Sequence, residues 1–269
     1  MGKIAYQTIL AACLLALVSF GCRSEYEKVR TSGDPELILK KAMAYYDAEE
    51  YQRSQSLFEL VAATYRGRKE AEEIAYKNAY CYYYLRDFLL SSYYFKQFVQ
   101  TYGTSPKREE AEFMSAYSNY RLSPKFRLDQ TSTYTAIQEL QFFINAHPNS
   151  ERVSQCNELI DELRAKLETK AFDEGQLYFD RRLYTASIQV YENLLKDFPE
   201  TKQTDKVRSM IVKSEYLLAE NSILQKQEER YKVAIETADE FIARFTDSEY
   251  LDEIKDIKAD SEKKIKQLQ

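Results

Sequence analysis

One series of side chains occurs three times in this chain at matching offsets, and it constrains the fold more than any single motif. Ala42, Tyr45 and Tyr46 are followed by Tyr51, Ser54, Phe58 and Val61. Ala79, Tyr82 and Tyr83 are followed by Phe88, Ser91, Phe95 and Phe98, and Gly175, Tyr178 and Phe179 by Tyr184, Ser187, Tyr191 and Leu194. Spacings of three and four place each half of the series on one face of a helix. Small residues in both halves let two helices approach while the aromatics interlock. A hairpin of this kind buries its apolar face only against a neighbour, so repetition predicts stacking.

This is the tetratricopeptide-repeat pattern of paired antiparallel helices. Two looser copies complete the array. In the third repeat, Ala116 and Tyr120 fit the first helix, Ala136, Leu140, Phe143 and Pro148 fit the second, and an insertion with Ser123-Pro124 lengthens the turn. In the fifth, Tyr231, Ala234, Ala238 and Phe241 fit the second helix, with the first running through 207–224. Repeats are wider than the minimal period: Tyr51 to Phe88 is 37 residues and Tyr184 to Tyr231 is 47, with added helix in stretches such as 151–172. Four closing loops share a form, namely Tyr102-Gly103-Thr104-Ser105, His147-Pro148-Asn149-Ser150, Phe198-Pro199-Glu200-Thr201 and Phe245-Thr246-Asp247-Ser248. Each offers a Ser or Thr to cap the next helix. With only 6 Gly and 5 Pro, the fold is expected to be all-α, a right-handed superhelical solenoid of about five tetratricopeptide-like hairpins.

The amino-terminal end reads differently. Lys3 precedes an apolar run from Ile9 to Val18, then Ser19-Phe20-Gly21 and Cys22. That is a secretory leader, too short for a permanent membrane span. A cysteine after a small residue at the cleavage point is also what a lipoprotein signal requires, with the lipid carried on Cys22. Ser19 stands where such signals usually hold Leu or Val. The expected organisation is therefore a signal peptide over 1–21, a lipidated tether over 22–33 and a repeat solenoid over 34–269. The tether spans at most ~35 Å extended. Asp34-Pro35 starts the first repeat helix. A charged amphipathic helix over 255–269 caps the stack, burying Ile254, Ile257 and Ile265.

Without the leader, the chain has 37 basic and 43 acidic residues and no basic block, which argues against a nucleic-acid partner. Cys81 and Cys156 leave a disulfide and two buried thiols both open, and neither has metal-ligand spacing. His147, followed by Pro148, reads as a solvated loop residue. There is no phosphate loop, nucleophile elbow or zinc helix motif. Acidic pairs such as Glu49-Glu50, Glu72-Glu73 and Glu109-Glu110 belong to solvated faces. No enzyme activity, cofactor or metal is expected. By contrast, 23 tyrosines and no tryptophan mark a surface: Tyr46, Tyr76, Tyr80, Tyr83 and Tyr84 approach the groove face of the first helices. Tyrosine combines contact area with a hydroxyl for backbone groups, which suits an extended peptide. The same rings would also serve as inter-repeat core, and Tyr45 and Tyr82 sit at packing positions.

An acylated cysteine, a short tether and five such repeats resemble the BamD family of lipoproteins in the outer-membrane β-barrel assembly machinery. The most specific stretches are Ser123-Pro124 through Leu128-Asp129-Gln130-Thr131, Ala136-Ile137 and His147-Pro148-Asn149-Ser150. The run Lys213-Ser214-Glu215-Tyr216-Leu217-Leu218-Ala219-Glu220-Asn221-Ser222 is similar to the family's fifth repeat as found in Bacteroidetes. His147 stands where the family more often has an aromatic. The resemblance implies a non-catalytic protein anchored in the outer membrane by lipid on Cys22 and facing the periplasm. It implies that residues 151–269 dock on a BamA-like barrel subunit and that residues 34–150 receive unfolded outer-membrane proteins. Two other readings share the repeats: a periplasmic scaffold lipoprotein linked to cell-wall synthesis or division, and a surface lipoprotein for glycan capture, which would need a longer chain.

Overall fold

The computed structural model describes residues 24–269; the leader and Cys22 lie outside the described residues. Among the described residues twelve helices follow one another: α1 (Glu25–Arg30), α2 (Pro35–Asp47), α3 (Tyr51–Ala62), α4 (Glu70–Tyr84), α5 (Phe88–Thr101), α6 (Arg108–Leu122), α7 (Thr131–Ala146), α8 (Val153–Asp180), α9 (Tyr184–Asp197), α10 (Thr204–Glu220), α11 (Leu224–Arg244) and α12 (Leu251–Leu268). Pairs α2/α3, α4/α5, α6/α7, α8/α9 and α10/α11 are the five expected hairpins. The described residues contain no strand, and the all-α class holds. Two compact units divide the chain. Among the described residues, unit 1 comprises 24–123 and 132–156, and unit 2 comprises 124–131 and 157–269.

In unit 1 helices α1 to α6 pack in sequence, each on the one before it. Asp34 caps α2 through bonds from the Glu36 and Leu37 amides at 3.0 and 3.2 Å, with Pro35 in the first turn. The described part of the expected tether 22–33, residues 24–33, carries helix α1. Ser24 caps it, and its Val29 is buried in a core with Ile38, Ala42, Leu57, Phe58 and Val61. One apolar residue, with Tyr26 against Tyr45 at 6.1 Å, was enough to dock it.

The turns of hairpins 1, 2 and 4 are identical in bonding. Glu49, Arg86 and Arg182 each take a positive φ of 60–63°. The Glu49, Arg86 and Arg182 amides bond to the carbonyls of Tyr46, Tyr83 and Phe179, and the next amides to Tyr45, Tyr82 and Tyr178. This is the Schellman closure of a helix, here made without glycine.

A ladder of small polar side chains runs through the repeats with a 27-residue step. Cys81 Sγ lies 3.6 Å from Ser54 Oγ, Ser91 Oγ 3.0 Å from Ser118 Oγ, and Ser187 Oγ 3.3 Å from Ser214 Oγ. Ser54 and Ser187 also donate to the Ala42 and Gly175 carbonyls, at 2.9 and 3.0 Å. Thus the small residues of the sequence series are where each second helix touches both its own partner and the next repeat. Gly175 shows how tight that contact is, since a Cβ there would lie 2.6 Å from the Tyr191 ring. Its counterparts Ala42 and Ala79 face phenylalanines, and the added bulk of tyrosine is accommodated by losing the methyl.

Unit 2 packs α9, α10, α11 and α12 in sequence, with α12 also reaching α10. Ile254 is fully buried with Val212, Ala238 and Phe241; Ile257 and Ile265 are half-buried. The inserted turn 124–131 is pinned by Gln130, whose Nε2 lies 3.0–3.2 Å from the carbonyls of Lys125, Phe126 and Leu128. Lys170 Nζ donates to the Leu128 carbonyl at 2.8 Å.

Cys81 and Cys156 are free and buried, and burial pushes both thiols up to about 11. His147 departs from the solvated reading: it bonds to Glu112 through Nε2 and lies 5.0 Å from the Phe143 ring.

Candidate functional site

Counting from the small residue of each first helix, positions 37 apart in α2, α4 and α6 form one stripe in unit 1. It runs Glu36, Lys40, Met43, Asp47; then Glu73, Lys77, Tyr80, Tyr84; then Glu110, Met114, Tyr117, Arg121. Helical spacing places the members of each set on one face. Polar groups meet between successive first helices: Lys77 Nζ lies 3.3 Å from Asp47 Oδ1, and Tyr80 Oη donates to Glu110 Oε1 at 2.9 Å.

All five tyrosines singled out by sequence join one network of ring contacts. Tyr46 meets Tyr51 edge-on at 5.7 Å, and Tyr51 stacks on Tyr84 at 4.3 Å. Tyr84 stacks on Tyr80 at 5.8 Å and meets Tyr83 at 5.6 Å. Tyr80 meets Tyr76 at 5.0 Å. Tyr83 then reaches Tyr117 at 6.2 Å, which stacks on Tyr120 at 5.5 Å.

Their environments differ. Tyr76 and Tyr80 lean on the buried Phe95 at 6.2 and 4.9 Å, and Tyr46 on Phe58 at 6.5 Å, so these three are half core. Tyr83 is half-buried and accepts a bond from Arg121 Nη1 at 3.3 Å. Tyr84 is the exposed member, at 45%. Tyr82 is buried, as its packing position implied, and Tyr45 is half-buried. Burial raises the Tyr46, Tyr76, Tyr80 and Tyr83 phenols above the ordinary tyrosine value, so each is a neutral hydroxyl at physiological pH. The arrangement offers ring faces, hydroxyls and flanking charges, which is equipment for contact.

Sequence reading missed Tyr51, Tyr117 and Tyr120 as members of this network, and Lys77 and Arg121 as its cations. Lys77 Nζ sits 4.1 Å above the Tyr46 ring, and the Arg121 guanidinium 4.6 Å above Phe88. The 37-residue step from Tyr80 to Tyr117 was the available signal. Among the described residues, no group of three or more His, Cys, Asp and Glu could hold a metal ion, and no helix is long and apolar enough to cross a membrane.

A family model described as an outer membrane lipoprotein, YfiO, matches residues 32–230. The chain belongs to the YfiO family of outer membrane lipoproteins. The match takes in all of hairpins 1 to 4 and reaches into α11. Among curated proteins, none matches. Similar solved structures include the TPR2AB-domain:pHSP90 complex of yeast Sti1, at 12% identity and TM-score 0.39, covering 85% of this chain and 98% of that one. A kinesin-light-chain-like protein of Podospora anserina with nearly identical TPR-like repeats has 12% identity and TM-score 0.33, covering 84% and 100%. The apo form of RapI has 16% identity and TM-score 0.31, covering 82% and 74%.

Proposed function

We propose that this chain is a non-catalytic, lipid-anchored component of the machinery that assembles β-barrel proteins in the outer membrane, and that it faces the periplasm. The family match over residues 32–230 carries the reading. In it, hairpins 4 and 5 dock on a BamA-like barrel subunit, and the tyrosine surface of unit 1 receives the extended, aromatic-ended strand of unfolded outer-membrane proteins. The exposed, stacked Tyr84 and the hydroxyls beside it support that use: aromatic faces take a terminal ring, and hydroxyls take main-chain groups. The lipid is assigned to Cys22. Because Ser24 already caps α1, at most about 7 Å of chain separates that anchor from α1, whose Val29 is buried against the first hairpin. Unit 1 would therefore sit close to the lipid surface.

The decisive experiment is a mild-detergent pull-down from the native envelope with mass spectrometry. Recovery of a BamA-like protein with periplasmic repeats, near one to one, is the expected result. Recovery of cell-wall enzymes instead would favour a scaffold for wall synthesis or division and end the assembly reading. For the surface, Tyr84→Ala is expected to weaken binding of a barrel-derived terminal peptide about fivefold to tenfold, equivalent to ~1–1.4 kcal/mol, with the melting temperature nearly unchanged. Cys22→Ser is expected to leave the outer-membrane fraction.

A further inference from the structure

On the face of α4 turned away from Tyr80 and Tyr84 lies a cleft of about 470 Å³, bounded by the end of α3, the α3–α4 connection and α5. We infer that this cleft is a second binding site, and that it takes an extended acidic peptide segment of a partner protein. Three observations carry this. First, Asn78 lines the cleft, is 7% exposed, and its Oδ1 has no hydrogen-bond partner. Buried amides are ordinarily paired, and an unpaired one is destabilising until a ligand engages it. The repeat frame makes the gap conspicuous. One repeat later the same position is Ser115, satisfied by Ser92 and Glu139, and in hairpin 5 it is the apolar Ile211.

Second, Arg66 and Arg68 line the same cleft, and neither guanidinium has a carboxylate partner among the described residues. Arg68 lies over the Tyr65 ring at 5.4 Å. The nearby Glu72 is already engaged by Ser105 Oγ at 2.7 Å. Two arginines without carboxylate partners beside one cleft call for carboxylates. Third, Tyr94 and Tyr102 furnish aromatic wall. Tyr94 is held by stacking on Tyr82 at 4.9 Å and Tyr102 by Phe98 at 5.1 Å, so both are positioned without a ligand.

The amide selects among anions. A side-chain amide pairs with a peptide group through both its donor and its acceptor, whereas a lipid phosphate offers acceptors alone. The site is therefore assigned to polypeptide. It stands apart from the tyrosine surface, so either assignment can fail without the other.

The test uses fluorescence anisotropy of the purified full chain with a labelled decapeptide of alternating glutamate and leucine, and with its glutamine-for-glutamate counterpart. The acidic peptide is expected to bind at least tenfold more tightly than the neutral one. Arg66→Gln with Arg68→Gln, both at exposed positions, should remove that preference without lowering the melting temperature. Asn78→Ala should weaken the acidic peptide about threefold to tenfold, and Tyr84→Ala should leave it unchanged. Equal binding of the two peptides, or undiminished binding by the double arginine variant, would overturn the site. Displacement of the peptide by phosphatidylglycerol vesicles, with Asn78→Ala indifferent, would overturn it in favour of a lipid contact. Loss of acidic-peptide binding in Tyr84→Ala would return the peptide to the tyrosine surface and overturn the separate site.

Discussion

Units 1 and 2 are built on the same repeat frame yet treat the polar group at one interior position in opposite ways. In unit 1, Tyr82 Oη accepts from Gln55 Nε2 at 2.8 Å and donates to Glu59, and Asn119 Nδ2 bridges Ser92 Oγ at 2.8 Å and Glu139 Oε2 at 2.6 Å. One repeat position in unit 2 corresponds to both, and it holds Glu215, whose buried Oε2 has no partner. Tyr191 Oη and Arg208 Nε are likewise buried and unpartnered there. Both units bury rings and aliphatic side chains, Tyr191, Tyr231 and Phe241 with Leu194, Val207 and Val212 in unit 2, but unit 1 carries in addition the connected ring network that reaches the exposed Tyr84. Rings with satisfied hydroxyls give a surface that presents aromatic groups. Buried, unpaired charge gives a region whose stability depends on pH.

The largest effect should come from the rings. Phe95 is fully buried and meets Tyr76 and Tyr80 edge-on. Phe95→Ala should destabilise the protein by about 3–5 kcal/mol, cavity and lost ring contacts together. Leu194→Ala at an equally buried site of unit 2 should fall toward the lower end of about 2–5 kcal/mol. Urea unfolding of both variants checks the contrast. If Leu194→Ala costs as much as Phe95→Ala, the ring network adds nothing beyond the area it buries.

Glu215 sharpens the other half of the contrast. Burial pushes its carboxyl up to about 7, helped by Glu192 on α9 and Glu240 and Glu236 on α11, with a Thr237 hydrogen bond opposing. A carboxyl with a folded-state pKa above its unfolded value of 4.5 holds its proton more tightly when folded. Its stabilising contribution is complete below about 4.5 and is lost as pH rises through about 7. Glu215→Gln stays neutral throughout. It should therefore flatten the decline in melting temperature between about pH 5 and 8 and gain about 1–3 kcal/mol at the upper end. An unchanged slope would place the pH dependence elsewhere.

The sequence showed what repeats and little of what pairs across repeats. Ala42, Ser54, Phe58 and their counterparts were legible because each sits at a fixed offset within its own hairpin. The partner of Ser105 or of Tyr84 was not, because it comes from another hairpin, and loop lengths vary from repeat to repeat. Tyr51 was read as repeat packing, and its stack on Tyr84 also makes it part of the surface. Helix α1 was hidden by its composition, since a single Val29 among charged residues leaves no apolar period to detect. Asn78 and Glu215 looked like ordinary polar helical residues. Only burial distinguishes them.

The smallest effects expected are at the four closing loops, whose form is the same in both units. The hydroxyls of Ser105, Ser150, Thr201 and Ser248 each accept a bond from the amide two residues on, at 3.0–3.3 Å. Each also donates to a carboxylate in the preceding repeat's first helix: Glu72, Glu109, Glu168 and Asp205. One hydroxyl thus opens its own helix and ties it to the previous one, which extends the capping role read from sequence. The helices begin three residues later, at Arg108, Val153, Thr204 and Leu251. Replacement by Ala removes a donor and an acceptor while leaving the carboxylate within reach of water, so the cost should be about 1 kcal/mol per site. In a chain of this length that is about 2–4 °C in melting temperature. The Ser150 bond is exposed and the other three are part-buried, so Ser150→Ala should cost least. Thr201→Val keeps the volume and removes only the hydroxyl, which separates the clasp from packing. Matching losses at Ser105 and Ser248 would show that the clasp is indifferent to whether rings or aliphatic side chains fill the hairpins around it. A loss confined to unit 2 would mean that unit 1 is held by its rings alone.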